Sequence, residues 1–458
     1  MEEKKRSTFT GKIGFVLAAA GSAIGLGNLW RFPYLAAKYG GGTFLLVYII
    51  LGLTFGFALM VAEIAIGRQT GLSAIGAFKK LNKKWAFLGV LTSLVPMIIF
   101  PYYSVIGGWV TKYIAQYATG GAAQAADPNF FNQYISQPVE PIFWFVLFIG
   151  ITFLIVLLGV EKGVEKASKF MMPVLAVLSV IIAIFTVTMP GSLDGVLYYI
   201  TPDFSNFSGT TILAAVGQLF YSMSLAMGIM ITYGSYMKKD VHIESSVHQI
   251  ELCDTGFALI AGLMIVPAFY VFSGGNASEM NAGPGLMFQT LPQVFERMSG
   301  GIPWLSNVIG CIFFVLVFFA ALTSGISLME TIVSILCDKL KLTRLKACLL
   351  VGIGALLIGL PSCLGFSIWS GVTFLGSMTI LDFFDFLSNS VLMPIVAFLT
   401  CIFVGYVIGA KSISEEVGLN GKFKMERLFT VMIKYIAPIC LVAILVSSVL
   451  DGLGIFDI

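Results

Sequence analysis

Charge is what this sequence has least of. Of its 458 residues only 11% are Asp, Glu, Lys or Arg, against about 25% in a soluble domain. Hydrophobic residues make up 58% and the mean hydropathy is +0.94. That deficit excludes a soluble enzyme and a disordered chain. The 27 basic and 24 acidic residues leave a formal charge of +3, too weak a basic field for nucleic acid. Histidine is nearly missing: His242 and His248 lie six residues apart in a polar loop and do not make a metal pair. The seven cysteines fall mostly in apolar runs, with only Cys363 placed in an outer loop, so no disulfide framework is implied. No G-x-S-G, G-x-G-D or H-E-x-x-H motif occurs, which removes the intramembrane hydrolases and with them an enzymatic reading. A channel filter of repeated carbonyls is missing too.

Long apolar runs take the place of charge. A helix rising ~1.5 Å per residue needs about 20 apolar residues to cross a ~30 Å hydrocarbon core. Eleven such segments centre near residues 24, 55, 100, 150, 180, 223, 262, 320, 352, 395 and 439. Thr43–Ala62, Phe170–Leu193, Phe386–Ala410 and Tyr435–Leu450 carry no charge at all. Continuous runs of this length fit helices and not the alternation of a barrel. The expected fold is an all-α polytopic membrane protein with 11 transmembrane helices, and the lipid bilayer is its first partner.

Basic residues recur in alternate loops: Lys4–Arg6 with Lys12, then Arg68 with Lys79–Lys84, Lys162–Lys169, Lys238–Lys239, Lys339–Lys346 and Lys411–Lys434. These groups hold 23 of the 27 basic residues, while loops 119–141, 190–209 and 361–381 hold none. The positive-inside rule then puts the N-terminus in the cytoplasm and, with eleven spans, the C-terminus outside a plasma membrane. Lys4–Arg6 and Ala18–Ala20 mimic a signal peptide, but the apolar stretch Ile13–Leu17 is too short and the run continues past it.

Two spans are interrupted. Gly21, Gly25 and Gly27, followed by Asn28, crowd the middle of the first, although glycine costs about 1 kcal/mol relative to alanine in a helix. The sixth reads Tyr221-Ser222-Met223-Ser224-Leu225-Ala226-Met227-Gly228 at mid-depth. The breaks occupy similar places in two five-span halves, and an odd number of spans inverts the second half relative to the first. Such paired breaks point to a midplane substrate site. Small residues at this spacing also permit close helix packing, and on spacing alone the two readings stand level. Ionisable residues within spans cost at least about 2.5 kcal/mol each. Arg31 follows the first break, Glu63 sits near the inner end of span two, Asp254 lies in span seven and Asp385 opens span ten. Glu63 suits a structural role, accepting from amides freed at the breaks. Asp254 has no basic residue at its depth, so a bound cation or a proton is the economical explanation.

The run Ala20-Gly21-Ser22-Ala23-Ile24-Gly25-Leu26-Gly27-Asn28-Leu29-Trp30-Arg31-Phe32-Pro33-Tyr34 resembles the first-helix signature of the neurotransmitter:sodium symporter family. The likeness recurs at Gln218–Tyr236 and Ala320–Ser324 and extends over nearly the whole chain, in the eleven-span form of a bacterial branch. The inverted repeat is an established property of that family. The resemblance implies a leucine-transporter-like 5+5 fold with broken helices 1 and 6 plus one extra helix. The implied divisions are a cytoplasmic segment 1–11, a first repeat 12–189, a second, inverted repeat 210–409, helix 11 at 428–450 and an outer tail 451–458.

Carried over residue by residue, the resemblance implies two sodium sites and no organic cofactor. One would use the Ala23 carbonyl, Asn28, Ser222, Asp254 and the substrate's carboxylate. The other would use carbonyls of Gly21, Ile24 and Ala320 with hydroxyls of Thr323 and Ser324. All are hard oxygen donors suited to an alkali cation. The carboxylate would also meet amides of Leu26 and Gly27 and the Tyr103 hydroxyl. The rest of the substrate would lie among Ile99, Tyr221, Ser224, Met227, Ser324 and Leu328, with Ala226 leaving room. Glycine at position 25, where monoamine carriers have aspartate, implies a substrate with its own carboxylate. Asp254, where many members have asparagine, implies independence from chloride.

The expected activity is therefore sodium-coupled import of hydrophobic and aromatic L-amino acids by alternating access, in a monomer or weak homo-oligomer. Arg31 with Asp385 would close the outer side, and Arg6 with Asp338 the inner, beside a Phe9 that replaces the family's usual tryptophan. Gly163 and Pro173 bracket a stretch of span five able to unwind. A proton-coupled amino acid carrier of the same fold, with Asp254 as its proton site, is the alternative.

Overall fold

The computed structural model describes residues 7–276, 279–300 and 302–453, which are helical throughout their regular structure apart from two isolated β-bridges. In chain order the principal helices are α1 (Lys12–Ala23), α2 (Leu26–Lys38), α3 (Gly42–Thr70), α4 (Lys83–Ala118), α5 (Glu140–Leu157) and α6 (Val160–Val187). They continue with α7 (Gly209–Ser222), α8 (Ile229–Tyr236), α9 (Ile243–Phe272), α10 (Pro303–Leu340), α11 (Arg344–Leu364), α12 (Ile380–Val407) and α13 (Glu426–Gly452). Among the described residues nine of these are long and apolar enough to cross a membrane. The remaining two expected spans are pairs of half-helices. α1 and α2 meet at 55° and make a tenth crossing when taken together. α7 and α8 are parted by Met223–Gly228 and are too short to cross singly. Among the described residues these make nine crossings and a tenth in two halves, and the expected count of eleven requires α7 and α8 to make one more.

Each break has a local cause. Ile24 and Gly25 are both extended, and the Asn28 side chain turns back to accept the Gly25 amide at 3.1 Å, capping α2 where no water is at hand. In the second break Ser224, Ala226 and Gly228 alternate into the left-handed region, at φ 52°, 60° and 71°. For serine and alanine that conformation costs on the order of 1–3 kcal/mol each, so the surroundings must hold it in place.

The half-helices form the centre. α10 packs along α4, α3 along α8, and α9 against α1, α2 and α6. Leu154, Phe170, Leu357 and Ile439 on α5, α6, α11 and α13 face outward, as a lipid-facing belt does. The α3–α8 contact is backbone to backbone: a Cβ on Gly67 would lie 1.9 Å from the Ile231 carbonyl oxygen, and one on Gly234 2.3 Å from that of Ile64. Ion pairs clamp the end bearing the basic loops. Arg68 donates to Glu416 at 2.7 Å and to the Val241 carbonyl at 2.6 Å, and Arg344 joins Glu330 to the Val156 carbonyl.

Gly67→Val should therefore force α3 and α8 apart at a cost of about 3 kcal/mol. Thermal unfolding in detergent would show it as a lowered midpoint. Gly150→Ala, with nothing within 4 Å of the added carbon, should not lower the midpoint and should raise it slightly, alanine being the better helix former.

Candidate functional site

The two breaks meet in the middle of the bundle. Ser224 Oγ donates to the Ser22 carbonyl at 2.8 Å, and Gln218 Nε2 to the Gly27 carbonyl at 3.2 Å. Asn28 Nδ2 reaches both Ser222 Oγ and Asp254 Oδ1 at 2.9 Å. Ser222 Oγ in turn donates to Asp254, 2.8 Å from Oδ1 and 3.1 Å from Oδ2. Asp254 is 0% exposed. Among the described residues it has no ion-pair partner, only these neutral dipoles and the buried Tyr48 hydroxyl of α3 beside them. A fully buried carboxylate held this way is chemically suited to a cation with oxygen ligands.

Glu63, 2% exposed, accepts the Ala226 amide at 2.6 Å, which ties α3 to the left-handed segment. That bond fixes the turn the sequence left without a hydrogen-bonded helix.

The second predicted oxygen cluster lies where α1 crosses α10. A Cβ on Gly21 would be 3.3 Å from Thr323 Cβ and 3.2 Å from the sulfur of Met172 on α6. The Thr323 hydroxyl bonds back to the carbonyls of Phe319 (2.9 Å) and Ala320 (3.1 Å), and Ser324 Oγ donates to the Ser22 carbonyl at 3.1 Å. Ile24 begins the break, its amide bonded to the Ala20 carbonyl at 2.8 Å. Close approach of α1 to α10 is possible because position 21 has no side chain.

Between the breaks lies a small cavity of about 40 Å³. Ala23, Leu26, Gly27, Ile99, Tyr103 and Tyr221 line it, together with Ser222, Ser224, Met227, Ser324 and Leu328. All the residues predicted to meet substrate thus surround one space. A Cβ on Gly25 would be 3.0 Å from Ser324 Oγ and 3.7 Å from Tyr103 Oη, so any side chain there enters the cavity. On Gly27 it would strike the Tyr221 ring at 2.6 Å. The buried Tyr103 hydroxyl lies near Ser324 and the Leu26 amide but makes no well-formed hydrogen bond, and is placed to donate to an anion in the cavity. Ser22 and Ile229 also line it and were not foreseen. The Ser22 carbonyl accepts from both Ser224 and Ser324, a role for backbone that side-chain patterns do not reveal.

The predicted gates are placed differently from one another. Arg31 is exposed, with its guanidinium 5.9 Å from the Tyr221 ring centre, and it pairs with no carboxylate within 4 Å among the described residues. Asp385 instead accepts from Tyr102 Oη at 3.0 Å and Asn389 Nδ2 at 2.7 Å. At the inner end Arg6 lies outside the described residues, and Asp338 Oδ2 accepts the Ser73 amide at 2.9 Å. Phe9 is buried edge-on against Tyr233 and Phe15, its ring centre 5.6 Å and 5.7 Å from theirs. Beside it Glu165, 1% exposed, accepts the Thr10 amide at 2.9 Å and pairs with Lys169 at 2.7 Å. Its carboxylate occupies the space a side chain on Gly14 would take, only 2.1 Å from an added Cβ. The sequence reading missed Glu165, whose one signal was its place two residues after Gly163.

The chain as a whole is similar to known proteins. The model of the Sodium:neurotransmitter symporter family matches residues 6–133 and 129–453. An uncharacterised sodium-dependent transporter of Bacillus subtilis is 35% identical over 98% of this chain and 99% of its own length. A second such transporter, from Haemophilus influenzae, is 32% identical over 97% of this chain and 98% of its own length. The crystal structure of MhsT in complex with L-phenylalanine matches with a TM-score of 0.85 and 36% identity, covering 97% of this chain and 100% of that one.

Glu63→Leu should leave the Ala226 amide unpaired in the interior and cost about 1–3 kcal/mol. Glu63→Gln keeps an acceptor and should retain most of the stability, so thermal unfolding of the two variants separates the hydrogen bond from simple packing.

Proposed function

Given that the chain belongs to the sodium:neurotransmitter symporter family, we propose that it imports hydrophobic L-amino acids, large aromatic ones included, with two sodium ions and without chloride. Sodium-coupled transport across a membrane is the family's activity. The substrate class, the number of ions and the independence from chloride are our reading of the site. So are the cytoplasmic N-terminus, the extracellular C-terminus and action without a catalytic step.

The observation that carries the reading is the Asn28–Ser222–Asp254 triangle at the wall of the cavity. A sodium ion beside Asp254 would take oxygens from Asn28, Ser222 and the Ala23 carbonyl, with the substrate's carboxylate completing the set. The same carboxylate would receive the Tyr103 hydroxyl and the amides of Leu26 and Gly27 at the start of α2, where the helix dipole favours an anion. Binding of sodium and substrate is then coupled through a shared contact. The fixed charge of Asp254 supplies the negative charge for which chloride-dependent members use an anion. A second sodium at Gly21, Ile24, Ala320, Thr323 and Ser324 would brace α1 on α10.

Gly25 supports an amino acid over a monoamine, because it provides no carboxylate of its own. The apolar wall of Ile99, Tyr221, Met227 and Leu328 supports a hydrophobic side chain, and bound phenylalanine in MhsT supports an aromatic one. A cavity of about 40 Å³ does not hold a phenyl ring as it stands. Methionine repacks easily, so Met227 is the wall residue that yields. Alternation would follow from Arg31 and Asp385 at one end and Phe9, Thr10 and Glu165 at the other, with unwinding between Gly163 and Pro173 freeing the inner closure. Arg6 and Asp338 belong to the same inner closure in this reading.

Purified protein in proteoliposomes should take up labelled phenylalanine under an inward sodium gradient with gluconate replacing chloride. Uptake that ignores sodium and follows an acid gradient would transfer Asp254 to proton coupling. Asp254→Asn should weaken sodium at least about tenfold, a loss of roughly 1.4 kcal/mol, and chloride should restore part of the activity.

A further inference from the structure

A second cavity, far roomier than the central one at about 570 Å³, lies at the end of the molecule that carries the basic loops. It opens between the start of α9 and the chain leading into α13, and its walls include both histidines of the sequence with Lys422 and Lys424. The one acid on its wall, Glu244, is 4% exposed and fully engaged. Its two carboxylate oxygens accept the amides of Lys424 (3.1 Å) and Met425 (3.0 Å), which anchors the loop to α9. Of the acids nearby in the chain, Asp240 and Glu426 are exposed and off the wall, and two others are engaged. Glu416 pairs with Arg68 and Lys239, and Glu251 lies 3.1 Å from His248 Nδ1.

The donors, by contrast, face the cavity. His242 Nδ1 accepts the Ser245 amide at 3.2 Å, which assigns the proton of the neutral ring to Nε2. Gly421 leaves that nitrogen open, since an added Cβ would sit 3.2 Å from it. With the two lysines this makes a pocket of donors and positive charge whose acids are already occupied, the complement of an oxyanion.

The surface beyond the pocket narrows the class of anion. His248 stacks on Phe57 of α3, ring centres 4.8 Å apart and planes within 13°. One turn farther from the basic end, on the same face of α9, Leu252 is 74% exposed. On α3, one and two turns beyond Phe57 in the same direction, Leu53 and Ile50 are 50% and 54% exposed. Exposed apolar side chains of α3 and α9 therefore continue outward from the basic pocket. Phosphate with a hydrocarbon chain attached fits both halves; free phosphate fits one.

We propose that this cavity binds the phosphate of an anionic phospholipid, held by His242, Lys422 and Lys424, with an acyl chain lying along Leu252, Leu53 and Ile50. Such a lipid would join α3, α9 and the chain before α13 at one point on the membrane surface. The proposal needs only the fold and the membrane, and stands whatever the cargo proves to be.

The test is binding of phosphatidylglycerol to the full-length protein in neutral detergent, followed by native mass spectrometry and thermal unfolding. A retained lipid adduct and a raised midpoint are expected. Both should weaken roughly tenfold or more in Lys422→Ala/Lys424→Ala. Lys341→Ala/Lys346→Ala removes equal charge from another loop on the same side and should bind as the unaltered protein does. Equal loss in both double variants would reduce the effect to general surface charge and overturn the site. An equal thermal shift from glycerol phosphate or inorganic phosphate would overturn the lipid, as would undiminished binding in Lys422→Ala/Lys424→Ala.

Discussion

Backbone that leaves the helix inside a bilayer has no water to turn to, so its amides and carbonyls must find partners within the protein or in what the protein binds. Here two such stretches, at Ile24–Gly25 and Met223–Gly228, are placed against each other. Part of the demand is met internally: Glu63 takes the Ala226 amide, the Ser22 carbonyl takes two hydroxyls, and Gln218 takes the Gly27 carbonyl. What is left over is what the proposed binding site would use. Carbonyls at the end of α1 and amides at the start of α2 are the polar groups that a sodium ion and a carboxylate would satisfy. Specificity and structural repair become the same problem in this arrangement.

Buried charge elsewhere in the molecule shows how Asp254 differs. Arg68 with Glu416 and Arg344 with Glu330 are opposite charges in direct contact, and they join distant segments at one end of the bundle. A buried ion pair of that kind needs nothing further. Asp254 is as deeply buried but is surrounded by an amide and a hydroxyl, which orient it without neutralising it. In the proposed reading a cation beside it balances its charge. Because the substrate's carboxylate would share that cation, ion and amino acid stabilise each other without any long-range relay.

Much of this was legible in the sequence, because the informative patterns are local. Apolar runs marked the spans, and Gly21, Gly25, Gly27 and Asn28 marked a break where a helix should have continued. The resemblance then placed residues from Ala23 to Leu328 around one cavity. What stayed hidden depends on partners far away in the chain. Thr10 and Glu165 are 155 residues apart and Arg68 and Glu416 are 348 apart, so no spacing announces them. The left-handed turns at Ser224 and Ala226 escaped notice because neither is a glycine. Both breaks were legible in advance, because glycines and small polar residues crowd the middle of otherwise apolar runs. Arg31 and Asp385 were singled out by their charges as a pair that closes in one state only, and the partners Asp385 has here, Tyr102 and Asn389, were not legible.

The central claim is that the substrate's carboxylate completes the sodium site at Asp254. Equilibrium binding of L-phenylalanine and of its uncharged amide, each in sodium and in potassium, tests it most directly. The account predicts that the acid binds far more tightly in sodium, while the amide binds weakly and equally in both salts. Equal sodium dependence for the two ligands would contradict it, because sodium would then act without touching the carboxylate.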